Sequence, residues 1–378
     1  MVKSLRPVWA EVDLGAVRHN VSRLTALARP GQLCAVVKAN GYGHGAVPVA
    51  RAALEAGATW LGVALVEEGV ELRAAGIEAP ILVLSEPPLD AMDEVVGQRL
   101  TPTVYTEAGV EAAAKAVAAA GVDQRLNVHV KVDTGMHRVG AAPEAALGLA
   151  DAVNRRPELR LAALWTRLAV ADDPDNEFTA LQLDRFERVR LTLQRRGVLP
   201  DLVHAANSAG LIAHPASRYN FVRCGIAIYG INPDPALAGR VDLRPAMSLK
   251  ARVSFVKEVA AGDRISYGLR YEFDDHAVVA TIPAGYADGV TRRLSFADGQ
   301  VLIGGRRQPI AGTVTMDQIM VDCGPDADVA AGDEVVLIGR QGSDEITAQE
   351  WADRVDTIAY EVVCGIGPRV PRVYLGDH

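Results

Sequence analysis

The sequence predicts an α/β fold in which an N-terminal (β/α)8 TIM barrel precedes a C-terminal, mainly-β domain. Three observations support this prediction. Between residues 12 and 233, short apolar runs alternate with amphipathic helical stretches. After Pro233 the apolar runs follow one another at short spacing, with turn residues between them. The length of 378 residues also exceeds that of a typical domain of about 150 residues.

The predicted barrel strands are eight short runs, several of them rich in Val, Ile or Leu, as strands buried on both faces are. They are Leu33–Val37, Trp60–Ala64, Pro80–Leu84, Thr101–Val104, Asn127–Val132, Arg160–Trp165, Asp201–Ala205 and Gly225–Tyr229. The predicted helices between them are Leu14–Leu27, Ala46–Ala56, Val66–Ala75, Leu89–Gln98, Glu107–Ala120, Pro143–Asn154 and Glu177–Arg196. Eight strands favour a closed barrel. An open, doubly wound sheet is the alternative, although it usually has fewer strands and a Gly-rich phosphate turn after the first.

The second domain is predicted to be all-β apart from one helix, Thr347–Val355. Its strand-like runs are Leu249–Val259, Ala277–Thr281, Gln300–Ile303, Gln308–Ala311, Ile319–Val321 and Glu334–Ile338. The extended segment Trp9–Asp13 is expected to join this domain. The predicted boundaries are residues 12–233 for the barrel, and residues 1–11 with 240–378 for the β-domain.

Composition excludes several classes of protein. The net charge of −8 is spread along the chain without a basic block, so nucleic acid and anionic membranes are not expected partners. No apolar run is long enough to span a membrane, and residues 1–11 do not resemble a signal peptide. The four cysteines have no CxxC or other metal-ligand spacing, so we expect no metal, and reduced thiols in a cytoplasmic protein.

Lys38 is the first candidate catalytic residue. It ends the first predicted strand inside the sequence Val36-Val-Lys-Ala-Asn-Gly-Tyr-Gly-His-Gly45, where a largely apolar run precedes it and a Gly-rich turn follows. In a barrel, the C-terminal ends of the strands carry the chemistry. A partly desolvated lysine held there is suited to Schiff-base formation. A solvated lysine at a strand end is the alternative.

Further charged residues follow the fifth predicted strand. Lys131 and Asp133 alternate with valines, so both are expected on the same face of the strand. Charges that point into a barrel need partners, and Asp133 and Arg138 are available. A purely structural ion pair is the alternative.

A phosphate site is predicted after the seventh and eighth strands, where barrels often bind phosphate. Ser208 and the backbone N–H groups around Gly225 and Ile226 would form it. A lysine opposite a phosphate site suggests pyridoxal 5′-phosphate (PLP). In the β-domain, Tyr267, Tyr286 and Tyr360 lie in or near Gly-flanked turns. The alternative for each tyrosine is simple packing in a β-core.

These motifs resemble the alanine racemase family over nearly the whole chain. The Lys38 sequence is similar to the family's cofactor-lysine signature. The elements Ser266-Tyr-Gly268, Gly285-Tyr-Ala-Asp-Gly289, Met316-Asp-Gln318 and Arg369-Val-Pro-Arg372 follow in the family's order. The resemblance implies a PLP-dependent amino-acid racemase with the barrel and β-domain described above. It also implies a homodimer whose two subunits share each active site.

The resemblance further implies the role of each site residue. The two catalytic bases would be Lys38, which also holds PLP covalently, and Tyr267, which reaches the site from the partner subunit. The residues implied to bind the phosphate are Tyr42, Ser208, Gly225, Ile226 and Tyr360. Arg223 would face the pyridine nitrogen. Arg138 and the partner's Met316 would receive the substrate carboxylate, Tyr286 and Asp317 would line the entrance, and Lys131 matches a lysine that is carbamylated in many members.

The implied chemistry explains these residue types. Racemisation removes the α-proton from one face of the substrate and returns a proton to the other, so two opposed bases suit it. A guanidinium such as that of Arg223 only donates, so the pyridine nitrogen opposite it stays unprotonated. The ring is then a weaker electron sink, and side reactions such as transamination are suppressed. This favours racemisation over decarboxylation.

One position departs from the family pattern. Arg167 stands where the family usually has a His that stacks on the cofactor ring. A planar guanidinium can also stack there, but it adds a fixed positive charge. Three functions therefore stay open: an alanine racemase that supplies D-alanine for peptidoglycan, a racemase specialised for serine or another small amino acid, and a weakly active homologue. A non-catalytic PLP carrier is a fourth reading, which the tyrosine-bearing β-domain disfavours.

Overall fold

A computed structural model describes residues 5–121, 124–198 and 200–376 of the chain. Its backbone divides into two compact units. The first unit comprises residues 16–41 and 46–244, and the second comprises residues 5–15, 42–45 and 245–376. The domain boundaries drawn from the sequence stay predictions, and their terminal residues 1–4 and 377–378 lie outside the described residues.

Strand β1 (Val8–Asp13) belongs to the second unit. The next eight strands are β2 (Gln32–Val36), β3 (Trp60–Val63), β4 (Ile81–Val83), β5 (Thr101–Val104), β6 (Leu126–Lys131), β7 (Leu159–Trp165), β8 (Leu202–His204) and β9 (Phe221–Cys224). They form one parallel sheet in the first unit, in the order β8-β7-β6-β5-β4-β3-β2-β9. Their side chains are mostly buried, as the apolar runs predict.

The sheet curls into a nearly closed barrel, in which the two end strands of the order, β8 and β9, lie next to each other. The interruption falls between β8 and β9, where the Asn220 side chain bridges the backbones. Its Oδ1 accepts the Val203 N–H at 2.8 Å and its Nδ2 donates to the Asp201 carbonyl at 2.7 Å. This architecture confirms the predicted eight-stranded barrel and rules out the open, doubly wound sheet.

Helices connect the barrel strands, and all but the short helix that begins at Ser208 lie close to predicted positions. They are α1 (Leu14–Ala28), α2 (Ala46–Glu55), α3 (Val66–Ala74), α4 (Met92–Gly97), α5 (Glu107–Ala120), α6 (Pro143–Arg155), α7 (Phe178–Arg195) and α8 (Ser208–Ala213). The caps explain sharp ends such as those of α5. Thr106 Oγ1 accepts the Gly109 N–H at 2.9 Å, and Gly121 ends the helix with φ of 61°.

The predicted eighth strand, Gly225–Tyr229, is wrong. The strand is β9, and Ile226–Tyr229 is a 3-10 helix. Gly225 leaves the extended region with ψ of −101°, and the Tyr229 hydroxyl donates to the Val36 carbonyl at 3.0 Å. A short apolar run fits a buried 3-10 turn as well as a buried strand, so composition alone could not separate them.

The second unit is mainly β, as predicted. Besides β1, its strands are β10 (Met247–Arg252), β11 (Phe255–Val259), β12 (Arg264–Ile265), β13 (Tyr271–Glu272), β14 (Ala277–Ile282), β15 (Gln300–Ile303), β16 (Arg306–Pro309), β17 (Ile319–Asp322), β18 (Glu334–Gln341), β19 (Asp344–Ile346) and β20 (Arg372–Leu375). The largest sheet has the order β16-β15-β18-β10-β1-β20, with β19 paired to β18. A three-stranded sheet, β11-β14-β17, and the pair β12-β13 complete the unit.

Three details of the second unit differ from the sequence analysis. The run Leu249–Val259 is two strands, and the run Gln308–Ala311 is shifted by two residues from β16. Helix α9 (Ala348–Val355) matches the prediction, but a second helix, α10 (Ala359–Cys364), contains Tyr360, so this tyrosine is not in a turn. The segment Trp9–Asp13 does lie in this unit, where β1 pairs with β10 and β20. None of the described helices is long and apolar enough to cross a bilayer.

Candidate active site

Lys38 lies two residues beyond β2 and is half-buried. Residues 39–41 have φ between 51° and 61°, a left-handed turn that an alanine adopts only under strain. Glu68 holds this turn, because its Oε1 accepts the Ala39 N–H at 2.6 Å while its Oε2 accepts the Ala64 N–H at 2.7 Å. The backbone that carries Lys38 is therefore fixed at the end of its strand.

Arg223, on β9, is a buried cation, with 3% of its surface exposed. Its guanidinium donates to His204 Nδ1 at 2.5 Å and to the carbonyls of Thr166 and Ala205 at 2.9 and 3.1 Å. It also lies 4.4 Å from the ring centroid of Trp165. All of these acceptors are neutral, so the positive charge is not compensated by its hydrogen-bond partners.

His129 and His204 form a buried pair behind Arg223 that the sequence analysis missed. A guanidinium only donates, so His204 Nδ1 is unprotonated and its hydrogen is on Nε2. That Nε2 lies 3.2 Å from His129 Nδ1, which places the hydrogen of His129 on Nε2 as well. Burial, followed by the charge of Arg223, lowers the pKa of His129 to about 3 and that of His204 well below its ordinary value. The available signal was the position of His129, two residues before Lys131 and hence on the same strand face.

Lys131, at the end of β6, is the second buried cation, and its Nζ lies 4.6 Å from the Trp165 ring centroid. Burial lowers the pKa of Lys131 to about 7, and the charges of Arg223, Arg138 and Arg167 act in the same direction. Burial, followed by the charge of Arg167, likewise lowers the pKa of Arg223 to about 9. Four predicted site residues therefore form one electrostatically coupled group.

The alternative of a structural ion pair between Lys131 and Asp133 is wrong. Within the described ranges, no carboxylate oxygen lies within 4 Å of the Lys131 amine. Asp133 Oδ1 instead accepts the N–H groups of Gly135 and His137 at 3.0 and 3.1 Å. Burial alone would raise the pKa of Asp133, but these hydrogen bonds and the charge of His137 hold it below its ordinary value.

Gln182 fixes the loop that carries Arg167, and the sequence analysis missed it as well. This fully buried side chain of α7 donates to the Arg167 carbonyl and to Thr134 Oγ1, each at 3.1 Å. Its Oε1 accepts the Ala169 N–H at 2.8 Å. A polar residue on the buried side of a predicted amphipathic helix was the signal that could have found it.

Ser208 and the residues after β9 lie at the same end of the barrel sheet as Lys38. Ser208 Oγ accepts the Gly225 N–H at 3.0 Å, so the hydroxyl hydrogen of Ser208 is available to an acceptor. Ile226 begins the 3-10 helix, whose Tyr229 hydroxyl bonds the carbonyl of Val36, two residues before Lys38. The ends of β2 and β9 thus bring Lys38, Ser208, Gly225 and Ile226 to neighbouring positions.

The remaining predicted site residues belong to the second unit. Tyr42 and Tyr360 lie together there, with ring centroids 6.1 Å apart. The turn after Tyr42 is tight, because a Cβ on Gly43 would lie 2.3 Å from the Val363 carbonyl. Only glycine fits that position.

Tyr267 lies on an exposed loop between β12 and β13, with 75% of its surface exposed. Thr313 holds this loop, since its Oγ1 donates to the Tyr267 carbonyl at 2.9 Å and its carbonyl accepts the Ser266 hydroxyl at 2.8 Å. The phenol itself projects from a fixed backbone.

Tyr286 and Met316 lie on two adjoining loops of the same unit. The N–H of Tyr286 donates to the Thr315 carbonyl at 3.0 Å, and the N–H of Ala287 donates to the Met316 carbonyl at 3.1 Å. Both side chains are exposed, as is Asp317, which follows Met316. Tyr286, Met316 and Asp317 therefore form one exposed group, whereas Tyr42 and Tyr360 form a separate pair in which Tyr42 is buried and Tyr360 is half-buried.

Comparison with known proteins gives one consistent result. Sequence models described as the N-terminal and C-terminal domains of alanine racemase match residues 12–233 and 246–374. The alanine racemase of Symbiobacterium thermophilum is 51% identical over 373 residues, covering 99% of this chain and 98% of that protein. The alanine racemase of Desulfovibrio desulfuricans is 43% identical over 376 residues, covering 99% and 100%.

Solved structures agree with the sequence comparisons. The alanine racemase of D-cycloserine-producing Streptomyces lavendulae has a TM-score of 0.93 at 41% identity, covering 100% of this chain and 99% of that one. The alanine racemase of Bacillus anthracis, solved with bound L-Ala-P, has a TM-score of 0.91 at 38% identity, covering 98% and 96%.

Proposed function

This chain belongs to the alanine racemase family of PLP-dependent isomerases, and we propose on that premise that it interconverts L-alanine and D-alanine by a two-base mechanism. The observation that carries the proposal is the environment of Arg223. A buried guanidinium that meets only neutral acceptors suits a cofactor nitrogen that must stay unprotonated.

The residues of the first unit fit PLP. Lys38 supplies an amine on a rigid turn at a strand end, which covalent attachment requires. The phosphate is proposed to bind the Ser208 hydroxyl and the backbone N–H of Ile226, while the Gly225 N–H donates to Ser208 Oγ and holds that hydroxyl in place. Tyr42 and Tyr360 are proposed to add phenol groups to the phosphate site. Arg223 would face the pyridine nitrogen.

The two proposed bases act on opposite faces of the substrate. Bound PLP makes the α-proton of an attached amino acid acidic. Lys38 Nζ takes or returns this proton on one face, and Tyr267 of the partner subunit takes or returns it on the other. The exposure of Tyr267 supports this assignment, because a side chain that leaves its own subunit must be free to reach another.

Arg223 limits the reaction to racemisation. With a pKa of about 9, it keeps its charge at neutral pH and can only donate a hydrogen bond. It therefore leaves the pyridine nitrogen unprotonated, weakens the ring as an electron acceptor and disfavours transamination. His204, held in one tautomer, aims the guanidinium.

The substrate carboxylate is proposed to bind Arg138 and Met316 of the partner subunit, while Tyr286 and Asp317 line the entrance. Lys131 is proposed to orient Arg138 after carbamylation. Its pKa of about 7 supports this, because a large fraction of the amine is neutral at neutral pH and only the neutral amine reacts with CO2.

Arg167 favours a second candidate, a racemase for serine or another small polar amino acid. Its charge adds to that of Arg223, so the site is more cationic than it would be with a neutral side chain at this position. An extra donor beside the cofactor suits a substrate whose side chain accepts a hydrogen bond. The same charge could also lower activity.

The cellular setting follows from the family. We propose a homodimer with shared active sites that works in the cytoplasm and supplies D-alanine for peptidoglycan. The cysteines support an unoxidised protein, since Cys34, Cys224 and Cys323 are buried free thiols.

A chiral assay tests this function. Purified protein with PLP is expected to convert L-alanine to a mixture of both enantiomers. Lys38→Ala should abolish this conversion together with the visible absorbance of bound PLP, whereas Lys115→Ala, on the exposed face of α5, should retain both. Inversion of serine but not alanine would refute the proposal that alanine is the substrate. If no amino acid were inverted, the proposal that this chain is an active racemase would be refuted.

A further inference from the structure

Asp288 is a fully buried carboxylate in the second unit, at a place to which no role has been assigned above. Arg6 binds it with two parallel hydrogen bonds, from NH1 to Oδ2 at 2.9 Å and from NH2 to Oδ1 at 2.6 Å. The Gly285 N–H donates to Oδ2 at 3.0 Å, and Arg369 Nε lies 3.6 Å from Oδ1. The carboxylate thus accepts three hydrogen bonds from two separate stretches of chain, and a third stretch places a positive charge beside it.

Arg369 extends this cluster to the loop that carries Met316. Its NH2 donates to Asp317 Oδ1 at 2.7 Å, so one guanidinium contacts both acids. We call Arg6, Asp288, Arg369 and Asp317 the Asp288 clamp. Two positive and two negative groups balance in it, which allows a carboxylate to remain charged without exposure to water.

The clamp joins the loops that present Tyr286 and Met316. Asp288 ends the 3-10 turn Tyr286–Asp288. Its carboxylate accepts a hydrogen bond from the N–H of Gly285, the residue just before that turn. Side-chain burial does not position Tyr286 or Met316, because 43% and 51% of their surfaces are exposed. Their positions depend on the backbone contacts between the two loops and on the clamp behind them.

We propose that Arg6, Asp288 and Arg369 are positioning residues that set the place of Tyr286 at the substrate entrance and of Met316, which contacts the substrate carboxylate in the partner subunit's site. This rests on the proposed function, which assigns those two residues to substrate. Apolar residues would fill such a site at least as stably as buried ions. A bidentate ion pair, by contrast, fixes the relative orientation of its two side chains. A displacement of about 1 Å near reacting groups can lower a rate by about 100-fold.

The test compares Asp288→Asn and Arg6→Gln with the control Arg307→Gln. Arg307 pairs with Asp344 and Glu350 in the same unit, and its side chain is 30% exposed, against 29% for Arg6. Both clamp variants should lower kcat/KM for alanine by about 10- to 100-fold, chiefly through KM. The absorbance of bound PLP should not change, since the proposed cofactor lysine is untouched. The control should keep the wild-type kcat/KM.

Amide hydrogen exchange gives a second measurement that does not depend on activity. In the clamp variants, peptides that cover residues 284–290 and 313–319 should exchange faster, whereas Arg307→Gln should leave them unchanged. Lower thermal stability with unchanged kcat/KM and unchanged exchange would overturn the proposal. If the wild-type protein racemised nothing, the proposed function would fail, and unchanged exchange would still refute the clamp. Arg6→Gln serves if Asp288→Asn does not fold.

Discussion

Each unit buries charged side chains. The two units differ in whether those side chains are paired with a group of opposite charge. In the barrel, Arg223 donates only to neutral acceptors, and the buried Lys131 has no carboxylate within 4 Å among the residues described. In the β-unit, the buried Asp288 carries a bidentate arginine and lies beside a second. The Arg223 environment therefore leaves a buried positive charge without a negative partner, whereas the Asp288 clamp pairs its buried carboxylate with two arginines.

Unpaired buried charge is expected of a ligand-binding site, whereas paired buried charge is expected of a cluster that only supports the structure. An unpaired buried cation destabilises the free protein, and it becomes favourable when an anionic or acceptor ligand arrives. A paired cluster needs no ligand and holds its loops in place whether or not substrate is present. The barrel is therefore expected to tolerate loss of its buried charges without loss of stability, at the expense of activity.

Removal of Arg223 is expected to have the largest effect. Arg223→Leu should lower racemase activity by about 100- to 1000-fold, because it would remove the donor that we propose faces the pyridine nitrogen of the cofactor. The free energy of unfolding should change by no more than about 2 kcal/mol, since relief of a buried cation offsets the loss of three hydrogen bonds. Chiral assays and urea unfolding measure the two quantities.

The matched control for this variant is Arg73→Leu. Arg73 also donates only to neutral acceptors, four backbone carbonyls that include Ile77 at 2.6 Å and Ala79 at 2.8 Å, and it has no proposed role in the site. Its loss should lower stability and leave activity unchanged. Equal stability losses for Arg223→Leu and Arg73→Leu, with activity retained in both, would show that Arg223 is a structural arginine like Arg73 and not part of a binding site.

A smaller effect is expected from Lys131, and it depends on pH. The pKa of Lys131 is about 7 in the folded chain and 10.5 ordinarily, so between these values the unfolded chain binds more protons. Stability should therefore rise with pH across this window, by at most about 1.4 kcal/mol per pH unit, and the full penalty should remain below pH 7. Lys131→Met should be more stable at pH 7 and should lose this slope. Urea unfolding in carbonate-free buffer measures it, and an identical slope in the variant would show that Lys131 is not destabilised.

The barrel could be predicted from sequence because its signals are local. Short apolar strands and amphipathic helices repeat, so seven of the eight strands lie close to where the pattern put them. The predicted strand Gly225–Tyr229 was wrong because an apolar run does not specify its backbone conformation. Here that conformation is set by Gly225 and by the hydrogen bond to the distant Val36 carbonyl. The predicted turn at Tyr360 was wrong for a similar reason, since a short helix in a β-rich region has too few residues to show a helical pattern.

The site was only partly predictable. Lys38 and Ser208 could be proposed from the sequence because each follows a predicted strand, and their roles stay predictions. His129, His204 and Gln182 do not form a motif, and their roles depend on contacts between strands and helices far apart in sequence. The pair of Arg6 and Asp288, separated by 282 positions, shows this most clearly. No local pattern links such residues.

The central claim is that Lys38 of one subunit and Tyr267 of the other act on the same substrate, and subunit complementation tests it most directly. Lys38→Ala and Tyr267→Phe should each be inactive. Heterodimers that pair the two variants, isolated with two different affinity tags, should regain about half of the wild-type activity, because one of their two sites then has both bases intact. If both bases came from one chain, every site in the heterodimer would lack one of them, and isolated heterodimers with no activity would contradict the claim.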